Sequence, residues 1–243
     1  MNRVIVVIDG LDGAGKSTLT SDLSMYLYEK YNEDITVKRT KELIVQHFPD
    51  YTSLNGHKIK RTLKNFPEEL TSDFLHWFTD LFMKDRAVWW KVNNTDFRAF
   101  PKTVDTAFFL FDRYRMSNLF SNAYRFEKLG TSLEDACFML LSREELEYCT
   151  PIETVNIFLT AKPEILKKRL AFKQKTSGID ANETEKAVEL ASKNFKRVIK
   201  WMDANKNLNF VPPYILIDEE DIRKKKVSPK DIWTKVIKKI NKK

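Results

Sequence analysis

Three of the six glycines in this 243-residue chain, Gly10, Gly13 and Gly15, fall within six consecutive positions. Average usage would supply about 17 glycines, so half of a scarce residue has been placed in one loop. Upstream, residues 3–8 end in the β-branched run Val4 to Ile8, the composition of a strand buried on both faces. Downstream, Lys16 to Lys30 carries Leu19, Leu23 and Leu27 at helical spacing. The loop between them, Gly10-Leu11-Asp12-Gly13-Ala14-Gly15-Lys16-Ser17, has the pattern G-x-x-x-x-G-K-[ST]. That pattern has a mechanical reason. Backbone N–H groups converge on phosphate oxygens only where side chains stay out of the way. The helix that opens at Lys16 adds its N-terminal N–H groups and dipole to the same anion. Lys16 is placed to reach the β- and γ-phosphates, and Ser17 to offer a hydroxyl to Mg²⁺. On this reading Gly10 through Thr18 bind the phosphates of ATP.

The rest of the chain alternates strand and helix. Ile35 to Thr40 reads as a second strand, and Leu54 to about Asn93 as two helices broken at Pro67. Thr103 to Phe111 reads as a third strand. Arg115 to Lys128 and Leu133 to Glu147 read as helices, and Thr154 to Thr160 as a fourth strand. Pro163 opens a helix to about Phe172, and the polar residues 173–181 have a mobile-loop composition. A long helix capped by Asn182 follows, then a fifth strand at Tyr214 to Ile217. Ser228-Pro229-x-Asp231 starts a last, lysine-rich helix. This order implies one α/β domain: a parallel sheet with helices on both faces.

Composition removes several function classes. The longest apolar run, Ala136 to Leu141, is far short of the ~20 residues of a membrane span, and Val4 to Ile8 is too short for a signal peptide. Cys137 and Cys149 make neither a disulfide framework nor a metal cluster, so a cytoplasmic protein is expected. The net charge of +8 resides in residues 221–243, which hold ten Lys/Arg and two Asp. The first 220 residues therefore sum to zero. Ile232, Val236 and Ile240 recur at one face of this segment, with most lysines opposite, the pattern of a solvated helix face. Nucleic acid is accordingly not an expected partner.

Asp112-Arg113-Tyr114 follows the third strand. A carboxylate at the carboxyl end of a parallel strand faces the ligand crevice, where Asp112 can hold Mg²⁺ and Arg113 can face phosphate. Here the sequence resembles the thymidylate kinases. The segments Asp9 to Thr18, Phe48-Pro49-Asp50-Tyr51, Phe82-Met83-Lys84-Asp85-Arg86 and Asp112 to Asn118 occur in that family's order and spacing. Pro163 to Arg169 and a lid segment, Gly178 to Glu183, extend the likeness to most of residues 1–205.

The resemblance implies a P-loop nucleotide-kinase fold with five parallel strands and a mobile lid. It also implies a homodimer and the reaction ATP + dTMP → ADP + dTDP. It implies that Asp12 faces the acceptor nucleotide beside Phe48, and that Phe82 stacks on thymine. Arg86 pairs with the base edge, Asn118 helps fix the base, and Asp180 belongs to the lid. Arg113 and Tyr51 hold the acceptor phosphate, and Arg169 lies over adenine. The chain departs from the family at several positions. Gly13 stands where some members carry a loop arginine, which leaves Lys173 and Lys175 of the lid as the expected catalytic cations. Ser121 stands where the family has tyrosine, and the stretch between Arg86 and Asp112 is long. Two rivals stay open at this stage. One is a kinase for another monophosphate or for several. The other is a P-loop ATPase or switch, for which no water-positioning residue or coupling element is evident.

Overall fold

The computed structural model describes residues 2–32, 41–96, 106–177 and 185–241. Five strands form one parallel sheet in the order β2-β3-β1-β4-β5: β1 Asn2–Gly10, β2 Lys41–His47, β3 Thr106–Asp112, β4 Val155–Thr160 and β5 Tyr214–Asp218. Nine helices connect and flank them among the described residues: α1 Lys16–Asn32, α2 Leu54–Lys64, α3 Ser72–Asp96, α4 Arg115–Glu127, α5 Leu133–Tyr148, α6 Pro163–Ser177, α7 Glu185–Ala204, α8 Glu219–Arg223 and α9 Pro229–Ile240.

Strand alternation sorts the two faces. Phe108 points to one side, against Tyr31 of α1 and Trp233 of α9. Phe109 and Phe111 point to the other, against Trp89 and Trp90 of α3. On that same side Phe158 of β4 meets Phe120 of α4 and Phe195 of α7. The stretch after Arg86 opens as the last turns of α3, to Asp96, whose paired tryptophans cover β3; residues 97–105 lie outside the described residues. The fold is that of the P-loop nucleotide kinases, with a five-stranded parallel sheet and helices on both faces, as expected.

Three boundaries differ from the sequence reading. The strand expected at Ile35 to Thr40 lies outside the described residues, and β2 is instead Lys41–His47. It carries Lys41, Glu42 and a half-exposed Val45 because it is an edge strand, buried less than its neighbours. Helix α6 continues through Ser177, so Lys173 and Lys175 belong to its last turns; residues 178–184, with Asp180, lie outside the described residues. The five-residue α8, between β5 and the last helix, has no counterpart in the sequence reading. The last helix follows expectation: Ser228 and Asp231 close a reciprocal capping box, and Ile232, Trp233 and Val236 are buried.

Candidate active site

The β1–α1 loop is shaped by close approach. Gly10 has φ +133°, and a Cβ there would lie 2.3 Å from the carbonyl oxygen of Leu159 on β4, so only glycine fits. Within the loop Lys16 is buried, and its ammonium donates to the carbonyls of Gly10 at 3.1 Å and Leu11 at 2.8 Å. It also lies 3.3 Å from Asp12 Oδ1. Arg113 forms an ion pair with the same Asp12 oxygen. Burial alone would raise the Asp12 pKa, but Arg113 and Lys16 together hold its carboxyl well below the usual range. Burial, reinforced by Arg113, pulls the Lys16 pKa down.

Arg113 owes its position to an unusual backbone. Its φ is +68°, in the left-handed region that non-glycine residues rarely enter, and its N–H donates to Ile8 O at 2.9 Å. Strain at that one residue turns the chain out of β3 so that the guanidinium faces the loop after β1.

Ser17 and Asp112 are brought together. The Ser17 hydroxyl donates to Asp112 Oδ2 at 2.6 Å, and His47 Nδ1 lies 3.0 Å from the same oxygen. Asp112 Oδ1 is buried without a hydrogen-bond partner. A hard divalent cation such as Mg²⁺ suits this donor set, one hydroxyl and one carboxylate oxygen. Among the described residues no cluster of three or more His, Cys, Asp or Glu could cage a metal unaided. A cation here would depend on water and on the oxygens of a phosphate ligand.

Two cavities meet at this point. One, about 1370 Å³ with its open mouth included, is lined by Asp12 through Leu19 and by Arg169, Glu219 and Arg223. Arg169 donates to Gly13 O at 2.9 Å and pairs with Glu219 at its rim. The other, about 1040 Å³ on the same basis, is lined by His47 at the end of β2, by Phe48, Pro49 and Tyr51 after it, and by Phe78, Phe82 and Arg86 of α3. Ser117, Asn118, Ser121, Asn122 and Arg125 of α4 close it. Asp12, Ser17 and Arg113 line both cavities. This is the carboxyl edge of the sheet, where ligands of open α/β folds bind.

The structure therefore gathers Gly13, Ala14, Gly15, Lys16, Ser17, Thr18 and Arg169 on one side. It gathers Phe48, Tyr51, Phe82, Arg86 and Asn118 on the other, with Asp12, Arg113 and Asp112 between them. Gly10 and Leu11 line a smaller adjoining cavity, beside Phe120, Ser121, Tyr124, Val188 and Ala191. Ser121 opens onto both this cavity and the larger one. Arg86 reaches the cavity wall already engaged: its Nε and Nη2 donate to Glu144 at 2.5 and 2.7 Å, and both side chains are buried. The side chains of Lys173 and Lys175 lie outside the described residues.

Four residues escaped the sequence reading. His47 and Ser117 sit at the P-loop end, His47 beside Asp112 and Ser117 donating to the buried Asp9 at 2.8 Å. Asn122 and Arg125 sit at the far end. The spacing of Asn118, Asn122 and Arg125, one helical face, was the available signal.

The site and sheet define the class as a P-loop nucleotide-kinase fold. Within it, the chain is similar to a solved thymidylate kinase from Candida albicans, a protein described as having broad substrate specificity. The TM-score is 0.62 and the identity 19%, over 100% of this chain and 94% of that one. No family profile and no curated protein sequence matches the chain.

Proposed function

We propose that this chain is a nucleoside monophosphate kinase of the thymidylate kinase type, converting ATP and dTMP to ADP and dTDP. The observation that carries the reading is the pair of large cavities sharing Asp12, Ser17 and Arg113. A nucleotide hydrolase or switch needs one nucleotide cavity. A kinase needs two, opening onto each other where the phosphates meet. No helix among the described residues is long and apolar enough to cross a membrane.

In this reading the P-loop side takes ATP, with Arg169 at its adenine end, and the α3–α4 side takes the monophosphate. The acceptor nucleophile is a phosphate oxygen already ionised at neutral pH, so no strong general base is required. The chain's residues orient the two phosphates in line and neutralise charge. Lys16 serves the donor phosphates, Arg113 with Tyr51 the acceptor phosphate, and Lys173 or Lys175 the transferring group. Ser17 and Asp112 would hold Mg²⁺, whose chemistry is to offset charge on the β- and γ-oxygens. Phe82 offers its face to the base, beside Asn118 and Arg86. The resemblance also carries a cytoplasmic location and a homodimer, and sedimentation equilibrium tests the dimer.

A wider acceptor range is the second reading, favoured by Ser121. This small residue leaves the acceptor cavity open to the adjoining one beside Phe120 and Tyr124. A roomy pocket rejects one added hydroxyl by only ~10²-fold. A coupled assay with ATP and a panel of monophosphates tests both. ATP turnover should require a monophosphate. UMP should be rejected less strongly than dTMP selectivity normally entails, and Ser121→Tyr should sharpen that rejection. ATP hydrolysis indifferent to every monophosphate would refute the kinase reading.

A further inference from the structure

We infer that Trp90, on the part of α3 that follows Arg86, is a positioning residue for Arg113, acting through Tyr114; the inference rests on the kinase reading above. Arg113 lines both cavities, and its left-handed backbone, φ +68°, is one that a non-glycine residue keeps only where surrounding contacts hold it. On the strand side, its N–H bond to Ile8 O supplies such a contact at 2.9 Å. On the helix side, the hold comes from the next residue. Tyr114 is the N-cap of α4, and no side-chain cap bond secures that end of the helix.

The Tyr114 hydroxyl is bonded to other elements instead, and the side chain is buried. Trp90 Nε1 donates to the phenol oxygen at 2.5 Å. The phenol in turn donates to the carbonyl of Pro151, in the segment before β4, at 3.2 Å. An indole N–H only donates and a carbonyl only accepts, so the phenol's one proton goes to Pro151 and a lone pair to Trp90. Burial, beside Glu144 and Glu153, raises the Tyr114 pKa well above its usual value, so that proton is held throughout the neutral range. The ring is flanked by Phe48 at 5.6 Å and Phe111 at 5.1 Å between centroids.

Trp90 is itself fixed. It is buried, and its ring centroid lies 5.0 Å from that of Phe109 and 5.8 Å from that of Phe111, both on β3. The indole thus joins the strand that delivers Arg113 to the residue that follows it. Arg115, the first residue of α4, adds a further hold: its buried side chain donates to Leu141 O of α5 at 3.3 Å and to Glu153 at 3.4 Å. With the chain anchored on both sides of Arg113, the guanidinium is kept at the junction of the cavities. Rate depends steeply on such placement, since misplacing a group by about 1 Å can cost ~10²-fold. Releasing Tyr114 lets the turn relax toward an ordinary backbone and carries the guanidinium off the junction. The second tryptophan of the pair after Arg86 thereby acquires a role beyond covering β3.

The test is kcat and both KM values with ATP and dTMP for the native chain, Trp90→Phe and Tyr114→Phe. Each variant keeps an aromatic ring and loses the bond between the two residues. Each should lower kcat at least ~10-fold and leave the ATP KM within about twofold of native. A role in stability alone would lower Tm and leave the kcat of the folded protein unchanged. The second measurement uses an Arg113→Ala background under single-turnover conditions with enzyme in excess. There Trp90→Phe should change the transfer rate by less than about twofold, because the residue it positions is gone, while its effect on Tm persists. Should Trp90→Phe fail to fold by circular dichroism, Tyr114→Phe carries both measurements. A folded variant with native kcat overturns the inference, as does a loss that multiplies in full with that of Arg113→Ala. Neither result touches the kinase reading. A native chain that phosphorylates no monophosphate overturns that reading, and this inference with it.

Discussion

Replacing Glu144 by Ala should be among the most damaging single changes outside the P-loop. Arg86 and Glu144 have side-chain exposures of 2% and 1%, and two parallel bonds of 2.5 and 2.7 Å join them. Truncation leaves a guanidinium buried without its carboxylate, which typically costs about 3–5 kcal/mol. Thr150 Oγ1 also loses one bond to that carboxylate, but keeps the Glu144 carbonyl at 3.3 Å, so its share is minor. At about 2–4 °C per kcal/mol for a chain of this size, the melting temperature should fall by roughly 6–20 °C. On the kinase reading the same change releases a residue of the acceptor cavity, so the acceptor KM should rise while the ATP KM holds. Urea and thermal unfolding followed by circular dichroism give the stability term. A cycle with Arg86→Leu, Glu144→Leu and the double variant isolates the pairing. The double variant should cost much less than the sum of the singles, because it removes both charges together. A Glu144→Ala melting temperature within about 2 °C of native, or strictly additive singles, would refute the reasoning.

Lys16→Ala should lower kcat at least ~10²-fold with the fold retained, since a cation on the transferring group acts mainly in the transition state; near-normal turnover by the purified variant would contradict the P-loop assignment. Changing both Lys173 and Lys175 to Ala should lower kcat more than it raises the dTMP KM, and an effect confined to ATP affinity would remove them from the transition state. Glu153 is fully buried 3.4 Å from Arg115, with its Oε1 unpartnered, and burial pushes its pKa up to about 7 despite that arginine. The folded chain then holds a proton that the unfolded chain releases near its ordinary value of 4.5. Stability should fall as pH rises from about 4.5 through about 7, by a term on the order of 3 kcal/mol, and remain lower above. Denaturation midpoints from pH 5 to 8 should show this component in the native chain and not in Glu153→Gln.

Local chemistry was legible in the sequence wherever neighbouring residues supply the whole mechanism. The strand–loop–helix around Gly10 to Ser17 is local, as is the Ser228–Asp231 capping box, and both formed as read. The edge strand was harder. Its core, Leu43-Ile44-Val45, is bounded by Lys41-Glu42 and Gln46-His47, polar flanks that an edge position accommodates. Long-range pairings had no local sign at all. Arg86 and Glu144 are 58 residues apart, and Ser17 and Asp112 are 95 apart. The resemblance could give Arg86 a base to contact, but not the carboxylate that occupies two of its five donors. The face of α4 with Asn118, Asn122 and Arg125 lies between these extremes. Its helical spacing is visible, while its place depends on which cavity that face of α4 happens to line.

The placement of Arg113 ties the two cavities to the sheet. Ile8 and Asp112 pair across β1 and β3; β3 ends there, while β1 runs two residues further, to Gly10, alongside β4. Continuing in extended conformation would carry Arg113 onward, away from the P-loop. Its left-handed turn costs of order 1–3 kcal/mol, and the native contacts that hold it are the N–H bond to Ile8 O and the ion pair with Asp12. Asp12 is thereby fixed between two cations and stays ionised, while Lys16 is drawn back onto the loop's own carbonyls. An incoming polyanion thus meets cations already oriented by a carboxylate at the boundary of both cavities. On the kinase reading, Arg113 is the fixed cation at the junction where the two phosphates meet.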